Sequence, residues 1–341
     1  MKNECVFEDV DLKEALKELP HQSTLSTKCV CTKKPDKYKA RLVARGFRQI
    51  HGINYDEMFA PTPTFSSLHL IFSTACLKKW SIWTFDVKVA FLHSLIDKPV
   101  YLWSPMGMGV PKFKVLKLCK ALYGTKKAFC CWLMHLKKIQ LEIGFKSNGE
   151  DTSTYTLDCD GEQAILCIHV DDGEVTASSI ELINQISDQL NKNLKFKLDE
   201  RIKGLVGISI DEIDEGLKFS QHDIIAKVIN LSPSNLVAKS PLPTNCQLES
   251  NFSCNNMDKP YLKWIGMLLY IAQESRPDIA YAINYLERFY LSTHHSHWNA
   301  INHLIAYLKS TKNVAILISK QNQLLEMNFF VDANWGGQGN R

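Results

Sequence analysis

Two adjacent acids, Asp171 and Asp172, interrupt an apolar run and constrain the fold more than any other feature of the chain. Residues 164–170 read Ala-Ile-Leu-Cys-Ile-His-Val, and strand-like sequence resumes after the acids. Such a break is typical of a β-hairpin with carboxylates at its tip. Taken alone, an Asp-Asp pair beside a strand is also what a solvated turn contains, because turns favour Asp.

A second segment carries one more acid inside an apolar run. Asp86 lies within residues 83–92, whose composition is that of a strand. Two such strands side by side would bring Asp86 close to the acid pair, and clustered carboxylates suit hard divalent cations. Nucleotidyl transfer uses two Mg²⁺ ions about 3.5–4 Å apart, one activating the attacking oxygen and one neutralising the leaving pyrophosphate. We therefore predict that Asp86 and Asp171 bridge two ions.

Composition excludes several classes of protein. With 341 residues, 45% hydrophobic and 22% charged, the chain is long enough for two or three packed units. No stretch resembles a secretory signal or a membrane span, and no P-loop or dinucleotide fingerprint occurs. Eleven scattered cysteines, with Cys29/Cys31 and Cys130/Cys131 too closely spaced for a zinc finger, predict reduced thiols. We expect an intracellular protein, cytoplasmic or nuclear, that is neither secreted nor membrane-spanning.

Positive charge is concentrated on both sides of Asp86, although the net charge is only +4. Residues 28–50 hold eight lysines and arginines against the single acid Asp36, and residues 112–138 hold eight lysines and no acid. A basic cleft around a metal site would suit a polyanionic template and a triphosphate. Solvated lysine-rich surfaces explain the same charges nearly as well.

The order of predicted elements indicates an α+β fold in which helices back an antiparallel sheet. Besides the hairpin at Asp171, short strands are predicted at 37–49, 196–198, 205–210 and 217–220. Helices are predicted at 66–79, 121–143 with Gly144 closing it, 179–194 with Ser179 as N-cap, 261–272, 278–290 and 298–308. Residues 297 and 303 lie about 240° apart on a helix, so the histidines there are interpreted as loop and helix-surface residues rather than metal ligands.

Six motifs follow one another in the order found in the reverse transcriptase of copia-type retrotransposon polyproteins, which the chain resembles from about residue 37 to its end. They are Tyr38-Lys39-Ala40-Arg41-Leu42-Val43-Ala44-Arg45-Gly46-Phe47, Asp86-Val87-Lys88-Val89-Ala90-Phe91-Leu92, Leu122-Tyr123-Gly124, Val170-Asp171-Asp172, Ser275-Arg276-Pro277-Asp278-Ile279 and His297-Trp298. Six motifs in order are far more specific than one acid pair. They favour a metal site over a solvated turn.

The resemblance implies a right-hand polymerase with fingers, a palm, a helical thumb or connection, and the start of an RNase H domain. The expected domains are a poorly defined N-terminal segment at 1–36, fingers and palm at 37–231, a linker at 232–257, the thumb or connection at 258–324 and a truncated first RNase H strand at 325–341. Expected partners are an RNA template, a DNA primer and deoxynucleoside triphosphates, with an oligomer or other retroelement proteins as further partners.

The resemblance also assigns roles to individual residues. Asp86, Asp171 and Asp172 resemble the three catalytic carboxylates, which hold two Mg²⁺ ions, with Mn²⁺ as a substitute. Nucleotide binding is implied for five residues, namely Lys39, Arg41, Arg45, Phe91 and Lys127. The three basic finger residues would stabilise charge on the transferred phosphate. Phe91 resembles the aromatic residue under the incoming sugar, where its ring would exclude a ribose 2′-hydroxyl; an ordinary core phenylalanine is the alternative.

Several positions depart from the family pattern. His169 stands where a tyrosine is usual, and Gly173 where an apolar residue is usual. After Gly124, Lys127 replaces a glutamine, Phe129 a proline and Cys130 an arginine. Two outcomes stay open for Lys127, since its ammonium group either contacts phosphate or disturbs the hydrogen bonds of the pocket.

The C-terminal residues 330–335 resemble the first strand of an RNase H domain, which puts Asp332 at that domain's first carboxylate. The remaining acids do not occur before Arg341. One carboxylate does not hold two metal ions. RNase H activity is therefore expected to be absent from this chain.

Three functions are compatible with these residues. The first is RNA-directed DNA polymerisation. The second is a catalytically decayed retroelement fragment that at most binds nucleic acid, which the departures at 127, 129, 130 and 169 and the truncation support. The third is another palm-domain two-metal enzyme such as a nucleotide cyclase, which would need neither the finger motif nor residues 275–279.

Overall fold

A computed structural model describes residues 5–18, 24–33, 37–56, 58, 61–105, 107–149, 151–200, 202, 204, 207–232, 236–248 and 260–320. The chain forms two compact units. Unit 1 comprises residues 1–68 and 81–202, and unit 2 comprises residues 69–80 and 203–341.

Unit 1 contains a large sheet, a smaller sheet and a two-stranded hairpin. Its strands are β1 (Phe7–Asp11), β2 (Thr27–Lys33), β3 (Tyr38–Ala44), β4 (Ser81–Val87), β5 (Tyr101–Leu102), β6 (Lys114–Leu118), β7 (Lys146–Ser147), β8 (Thr154–Cys159), β9 (Glu162–His169), β10 (Asp172–Ala177) and β11 (Phe196–Asp199). Its helices are α1 (Leu12–Glu18), α3 (Ala128–Ile143) and α4 (Ile180–Asn191), while α2 (Phe65–Lys78) begins in unit 1 and ends in unit 2.

The large sheet is antiparallel, and among the described residues its strand order is β11-β4-β10-β9-β8-β7. Along β4 the buried residues Trp83, Phe85 and Val87 alternate with more exposed ones, so a single face enters the core. Helices α3 and α4 supply the opposing apolar residues. This arrangement confirms the predicted α+β fold with an antiparallel sheet backed by helices. Asp86, between Phe85 and Val87, faces away from that core.

Helix α4 begins and packs as its sequence predicts. The hydroxyl of Ser179 accepts a hydrogen bond from the backbone N–H of Leu182 at 3.1 Å, which satisfies a donor that the first helical turn leaves unpaired. Leu182, Ile183, Ile186 and Leu190 form the buried stripe.

The N-terminal segment is better defined than the sequence predicted. Strand β1 pairs with β6, which also pairs with β5, and β2 pairs with β3 in a hairpin that runs from Thr27 opposite Ala44 to Lys33 opposite Tyr38. The description of residues 1–36 as poorly defined is therefore wrong for their described part. The error arose because β2 is exposed along most of its length and has no buried stripe to read.

Two other boundaries differ from prediction. The strand around Asp86 ends at Val87 rather than continuing to 92, because Val89 adopts a left-handed backbone (φ 53°) and a short 3₁₀ helix follows at Ala90–His93. Helix α3 begins at Ala128 rather than 121 and ends at Gly144, whose φ of 107° suits a C-terminal glycine cap.

Unit 2 combines a small sheet with a helical core. Its strands β12 (Ser209–Ile213), β13 (Gly216–Ser220) and β14 (Ile316–Ser319) pair in that order, and its helices are α5 (His222–Leu231), α6 (Tyr261–Glu274), α7 (Ala280–Glu287) and α8 (His295–Ser310). The division between the units falls after residue 202, so residues 203–231 belong to unit 2. The described part of the predicted linker, residues 236–248, contains no helix or strand. Residues 325–341, with Asp332, lie outside the described residues.

The Ser275-to-Ile279 motif builds an internal charge network in unit 2. Arg276 is fully buried and donates two hydrogen bonds to the carboxylate of Asp278, at 2.9 and 2.7 Å, and two to the carbonyl and hydroxyl of Thr311, at 3.0 and 2.6 Å. Burial alone would raise the pKa of Asp278, but hydrogen bonds from Arg276 and Tyr307 outweigh it and lower that pKa. The motif is therefore structural in this chain.

His297 is not on the helix surface, so that interpretation is wrong for this residue. Its ring is fully buried and stacks on Phe289 at 4.3 Å, and its Nδ1 accepts a hydrogen bond from the backbone of His294 at 3.0 Å. No helix in the described part of the chain is both long and apolar enough to cross a membrane.

Candidate active site

The three acids lie at one end of neighbouring strands. Strands β10 and β4 run antiparallel with Asp172 directly opposite Asp86, and the backbone N–H of Val87 donates to the carbonyl of Asp171 at 2.7 Å. Directly opposed residues of an antiparallel pair point to the same face. The register of two strands that are distant in sequence therefore brings together the acids that were predicted to act together.

The turn that carries the acids has an uncommon backbone. Val170 has a φ of 62°, a left-handed conformation that is a genuine outlier for a β-branched residue. The indole N–H of Trp132 donates to the Val170 carbonyl at 2.6 Å, and Trp132 is 0% exposed in the core of unit 1. A conformation of this kind persists where its surroundings hold it. Trp132 therefore packs in the core of unit 1 and also positions the turn.

Mutual repulsion marks the electrostatics of the acids. Burial raises the pKa of Asp171 above its usual value, and the charges of Asp172 and Asp86 raise it further. Lys39 acts in the opposite direction and lowers that pKa. The cluster therefore holds more negative charge than the nearby cation compensates.

Divalent cations fit this donor set. As the side chains stand, the described residues include no group of three or more His, Cys, Asp or Glu close enough to hold one ion. Carboxylate oxygens are nevertheless the ligands that hard cations prefer, and a bound cation would relieve the repulsion that raises the pKa of Asp171. Asp86 and Asp171, with Asp172 beside them, are the residues that would hold such ions.

Tyr123 joins the acids to the basic hairpin of β2 and β3, which we call the finger hairpin. Its hydroxyl lies 3.5 Å from Oδ2 of Asp171, at the limit of a hydrogen bond, and the guanidinium of Arg41 lies 5.8 Å from the centre of its ring. Burial raises the pKa of Tyr123, and so does the charge of Asp171. From the sequence, Tyr123 is recognised only as part of the motif Leu122-Tyr123-Gly124, and no role is predicted for it.

The predicted basic residues differ in their placement. Lys39 and Arg41 both act on groups at the site, on Asp171 and Tyr123 respectively, and alternation along β3 puts them on one face of the finger hairpin. Arg45 is exposed beyond the end of β3, where its backbone N–H donates to the carbonyl of Ser26 at 2.9 Å. Of the three finger cations, Lys39 thus lies close enough to act on Asp171, and Arg41 lies beside Tyr123.

Two glycines hold the end of β3 against the loop that contains Tyr123. The backbone N–H groups of Ala44 and Gly46 donate to the carbonyls of Tyr123 and Gly124 at 2.8 and 3.0 Å. A Cβ on Gly46 would lie 2.1 Å from the Gly124 oxygen, and a Cβ on Gly124 would lie 2.1 Å from the Ala44 oxygen. No other residue type fits either position without movement of backbone, so two separate motifs form one contact.

Phe91 and Lys127 have partners within the fold. Phe91 is 9% exposed and packs edge-on against Tyr123 at 4.4 Å between ring centres, so it belongs to the core and also adjoins the site. Lys127 forms an ion pair with Asp97, and this hydrogen bond is the main cause of its raised pKa. The lysine is therefore committed to a carboxylate other than the three predicted metal ligands.

Local contacts account for both departures beside the acid pair. His169 on β9 lies directly opposite Asp172 on β10, and its Nδ1 is 3.3 Å from Oδ1 of Asp172. A Cβ on Gly173 would lie 2.2 Å from the Cys167 carbonyl and 2.6 Å from the ring of Phe85. The ring of Phe85 thus occupies the space that a side chain at 173 would need.

Sequence reasoning also missed Glu174. It is 1% exposed on the same strand as Asp172, and neither carboxylate oxygen has a hydrogen-bond partner among the described residues. Burial, followed by the charge of Asp172, raises the pKa of Glu174 well above its usual value, which favours the neutral acid. The sequence signal for this residue was that Glu174 is an acid within the second apolar run of the hairpin.

Comparison with known proteins gives a consistent result. Residues 5–242 match the family model described as reverse transcriptase (RNA-dependent DNA polymerase). The Retrovirus-related Pol polyprotein from transposon RE1 of Arabidopsis thaliana is 32% identical over 310 residues, which cover 89% of this chain and 21% of that protein. The corresponding polyprotein from transposon TNT 1-94 of Nicotiana tabacum is 29% identical over 316 residues, or 88% of this chain and 24% of that protein.

The chain thus spans about a fifth of the length of the curated relatives it matches. A solved structure of a foamy viral protease-reverse transcriptase in complex with double-stranded DNA covers 89% of this chain and 45% of its own, at 11% identity and a TM-score of 0.42. A likeness at that level carries no argument of its own.

Proposed function

This chain belongs to the reverse transcriptase (RNA-dependent DNA polymerase) family, and from that premise we propose that it is the polymerase part of a copia-type retrotransposon polyprotein. The reaction proposed is extension of a DNA primer on an RNA template, with deoxynucleoside triphosphates as substrates. The observation that carries the proposal is the register of β4 and β10, because it puts Asp86 opposite Asp172 and next to Asp171.

Asp86, Asp171 and Asp172 are proposed to hold two Mg²⁺ ions, or Mn²⁺ in their place. When bound, such ions lower the pKa of the attacking primer 3′-hydroxyl and neutralise charge on the leaving pyrophosphate. Burial, followed by the charges of Asp172 and Asp86, raises the pKa of Asp171 and supports this assignment, since buried carboxylates that repel each other gain from a shared cation.

Lys39 and Arg41 are proposed to bind and orient the triphosphate. Both lie on the face of the finger hairpin whose charges act on Asp171 and Tyr123. Donors fixed before the reaction stabilise developing phosphate charge without reorganisation. Arg45, at the end of the same strand, is proposed to contact the template or primer backbone rather than the transferred phosphate.

Phe91 is proposed to select deoxynucleotides through its neighbour. Its ring lies edge-on to Tyr123 and is itself mostly covered, so it would set the position of the tyrosine ring against the sugar. The proposed setting is intracellular, cytoplasmic or nuclear, and an oligomer or other retroelement proteins are further proposed partners.

The decisive experiment is primer extension by the purified chain on an RNA template with Mg²⁺. We expect extension by the wild type, none by Asp171→Asn, and wild-type extension by Asp188→Asn, which makes the same chemical change at an exposed position on α4. Binding of the same primer-template should weaken with salt in all three proteins.

A second candidate is a catalytically decayed fragment that retains nucleic-acid binding. The pairing of Lys127 with Asp97 and the unpartnered buried carboxyl of Glu174 favour it, because both use polar groups in ways that do not serve the reaction. Absence of extension by the wild type, with salt-sensitive binding intact, would leave this candidate and exclude the polymerase.

Lys127→Gln restores the glutamine that the family usually has and tests the role of the lysine directly. Extension should fall if Lys127 leaves Asp97 to contact phosphate. It should rise if the lysine spoils the pocket. The comparison is made at saturating primer-template, so that a change in nucleic-acid affinity does not enter the rate.

A further inference from the structure

Two thiols face the same side of the finger hairpin. Cys29 and Cys31 are two residues apart on β2. Both are exposed, and their sulfur atoms are 3.9 Å apart. They pair in register with Leu42 and Ala40 of β3. The sequence set these cysteines aside because their spacing does not match a zinc finger, but a strand presents residues i and i+2 side by side.

The distance between the sulfur atoms fits a shared metal ion better than a disulfide. A tetrahedral ion with metal–sulfur bonds of about 2.3 Å holds two ligand sulfurs about 3.8 Å apart, close to the 3.9 Å found here. A disulfide needs a sulfur–sulfur distance of about 2.05 Å and Cα atoms no more than about 6.8 Å apart. Alternate residues of a strand are about 6.7 Å apart, at the upper limit of that range, whereas the commonest Cα separation in disulfides is about 5.5–6 Å. A disulfide of ordinary geometry would therefore need a shorter strand.

The hairpin pairing resists such contraction. Val30, which lies between the two cysteines, pairs with Arg41 of β3. Shortening β2 at this point would therefore disturb its pairing with β3, which continues on both sides of Val30. A metal ion needs no such movement. Alternation along both strands also puts the thiols on the face opposite Lys39 and Arg41, which separates this position from the three acids.

We propose that Cys29 and Cys31 form a two-thiolate site for a thiophilic divalent ion, Zn²⁺ or Cd²⁺. Two metal–sulfur bonds form as the two thiol protons pass to solvent. No third Cys, His, Asp or Glu joins them within the described residues, so water fills the remaining positions. Thiolate ligands select such ions over Mg²⁺, which prefers oxygen.

The test is a titration of the full-length reduced chain, freed of metal by a chelator, with Cd²⁺ and then with Zn²⁺. Thiolate-to-cadmium charge-transfer absorption and calorimetry report binding, and neither depends on polymerase activity. We expect one strong equivalent that excess Mg²⁺ does not displace. Cys29→Ser and Cys31→Ser should each weaken binding at least about tenfold, as loss of a ligand requires.

Two matched controls make the result specific. Cys159→Ser removes an exposed cysteine elsewhere in unit 1, and Cys130→Ser/Cys131→Ser removes the other closely spaced pair. Both should bind as the wild type does. Retained affinity in Cys29→Ser and Cys31→Ser, with circular dichroism showing each folded, would overturn the proposal. So would a 29–31 disulfide, found by peptide mass, if it forms faster than cadmium binds once dissolved oxygen is admitted as the two-electron oxidant.

Discussion

Two charged clusters of this molecule come from motifs of the same family but are built in opposite ways. At the end of β4 and β10, carboxylates of one sign repel each other, and the pKa of Asp171 is raised. In unit 2, the fully buried Arg276 has hydrogen bonds to Asp278 and Thr311, and the pKa of Asp278 is lowered.

The difference separates function from structure. A buried guanidinium that makes four hydrogen bonds within the fold has little capacity left for a ligand, and it stabilises the fold only while its partners remain. A group of like charges costs folding free energy and becomes favourable only when something positive binds. Unrelieved charge, rather than membership of a motif, marks the candidate site.

The largest expected effect is at the acids. Asp171→Asn should lower primer extension by about ten thousandfold, because catalytic groups that act together fail together. Its free energy of unfolding should stay equal or rise, since the change removes a charge that burial and two neighbouring acids oppose. Extension assays and urea unfolding on the same preparation measure both quantities. A marked loss of stability would mean that this acid is structural and would break the comparison.

At Arg276 we expect the reverse. Arg276→Met should lower the free energy of unfolding by about 2–3 kcal/mol, because it removes the four hydrogen bonds that the fully buried guanidinium makes to Asp278 and Thr311. Urea denaturation measures the loss. Arg288→Met, at an exposed position in the same unit, is the control and should change stability little. If the two variants were equally stable, the hydrogen bonds of Arg276 would contribute nothing to the free energy of unfolding.

Gly124→Ala tests how the finger hairpin is held. The new Cβ would meet the Ala44 oxygen in a backbone with φ of 86°, so we expect a loss of about 2–3 kcal/mol and a higher KM for the deoxynucleotide. Gly161→Ala has nearly the same φ, 83°, but an open surrounding, and should lose only about 1 kcal/mol. If the two variants unfold at the same urea concentration, the close approach of backbones is not what requires glycine at 124.

Glu274 offers a third kind of titratable group, because it is buried and its carboxyl oxygens have no hydrogen-bond partner among the residues that the structure describes. Burial raises its pKa from 4.5 to about 8, so the folded state keeps a proton that the unfolded state releases. Stability should therefore fall as pH rises from 4.5 towards 8, by about 1.4 kcal/mol per pH unit from this group. Unfolding at pH 5 and pH 8 should show a smaller difference for Glu274→Gln than for wild type. The exposed Glu287→Gln should leave the difference unchanged.

The smallest expected effect is at the turn that carries the acids. Trp132→Phe keeps an aromatic ring but removes the donor to the Val170 carbonyl, which should cost about 1 kcal/mol. Because the acids follow that turn directly, kcat should fall while the KM for primer-template should stay unchanged. Trp264→Phe, in the core of unit 2, controls for loss of ring size. A kcat equal to that of the control would leave Trp132 with a packing role only.

Sequence was most informative where local chemistry decides the outcome. The hairpin at Asp171 and the N-cap at Ser179 need only neighbouring residues, and both are present in the structure. The catalytic roles of the acids stay a prediction, although the register that brings Asp86 opposite Asp172 agrees with them.

Sequence failed where the deciding contact leaves no hydrophobic periodicity. Residues 121–127 have helical periodicity, but backbone bonds from Ala44 and Gly46 hold Tyr123 and Gly124 outside the helix. Strand β2 has no apolar stripe and exists because β3 lies beside it. His297 is buried because Phe289 stacks on it. None of these contacts produces a hydrophobic periodicity in the sequence.

The contact between Gly46 and Gly124 also has a consequence for synthesis. Roughly eighty residues separate its two halves, and a ribosome adding about 5–20 residues per second needs about 4–16 s to supply the second half. Strand β1 likewise waits for β6. Within unit 1, β1 and the finger hairpin thus leave the ribosome before the segments that anchor them. During that interval the nascent chain carries a positively charged, unanchored arm beside the RNA-rich machinery that makes it.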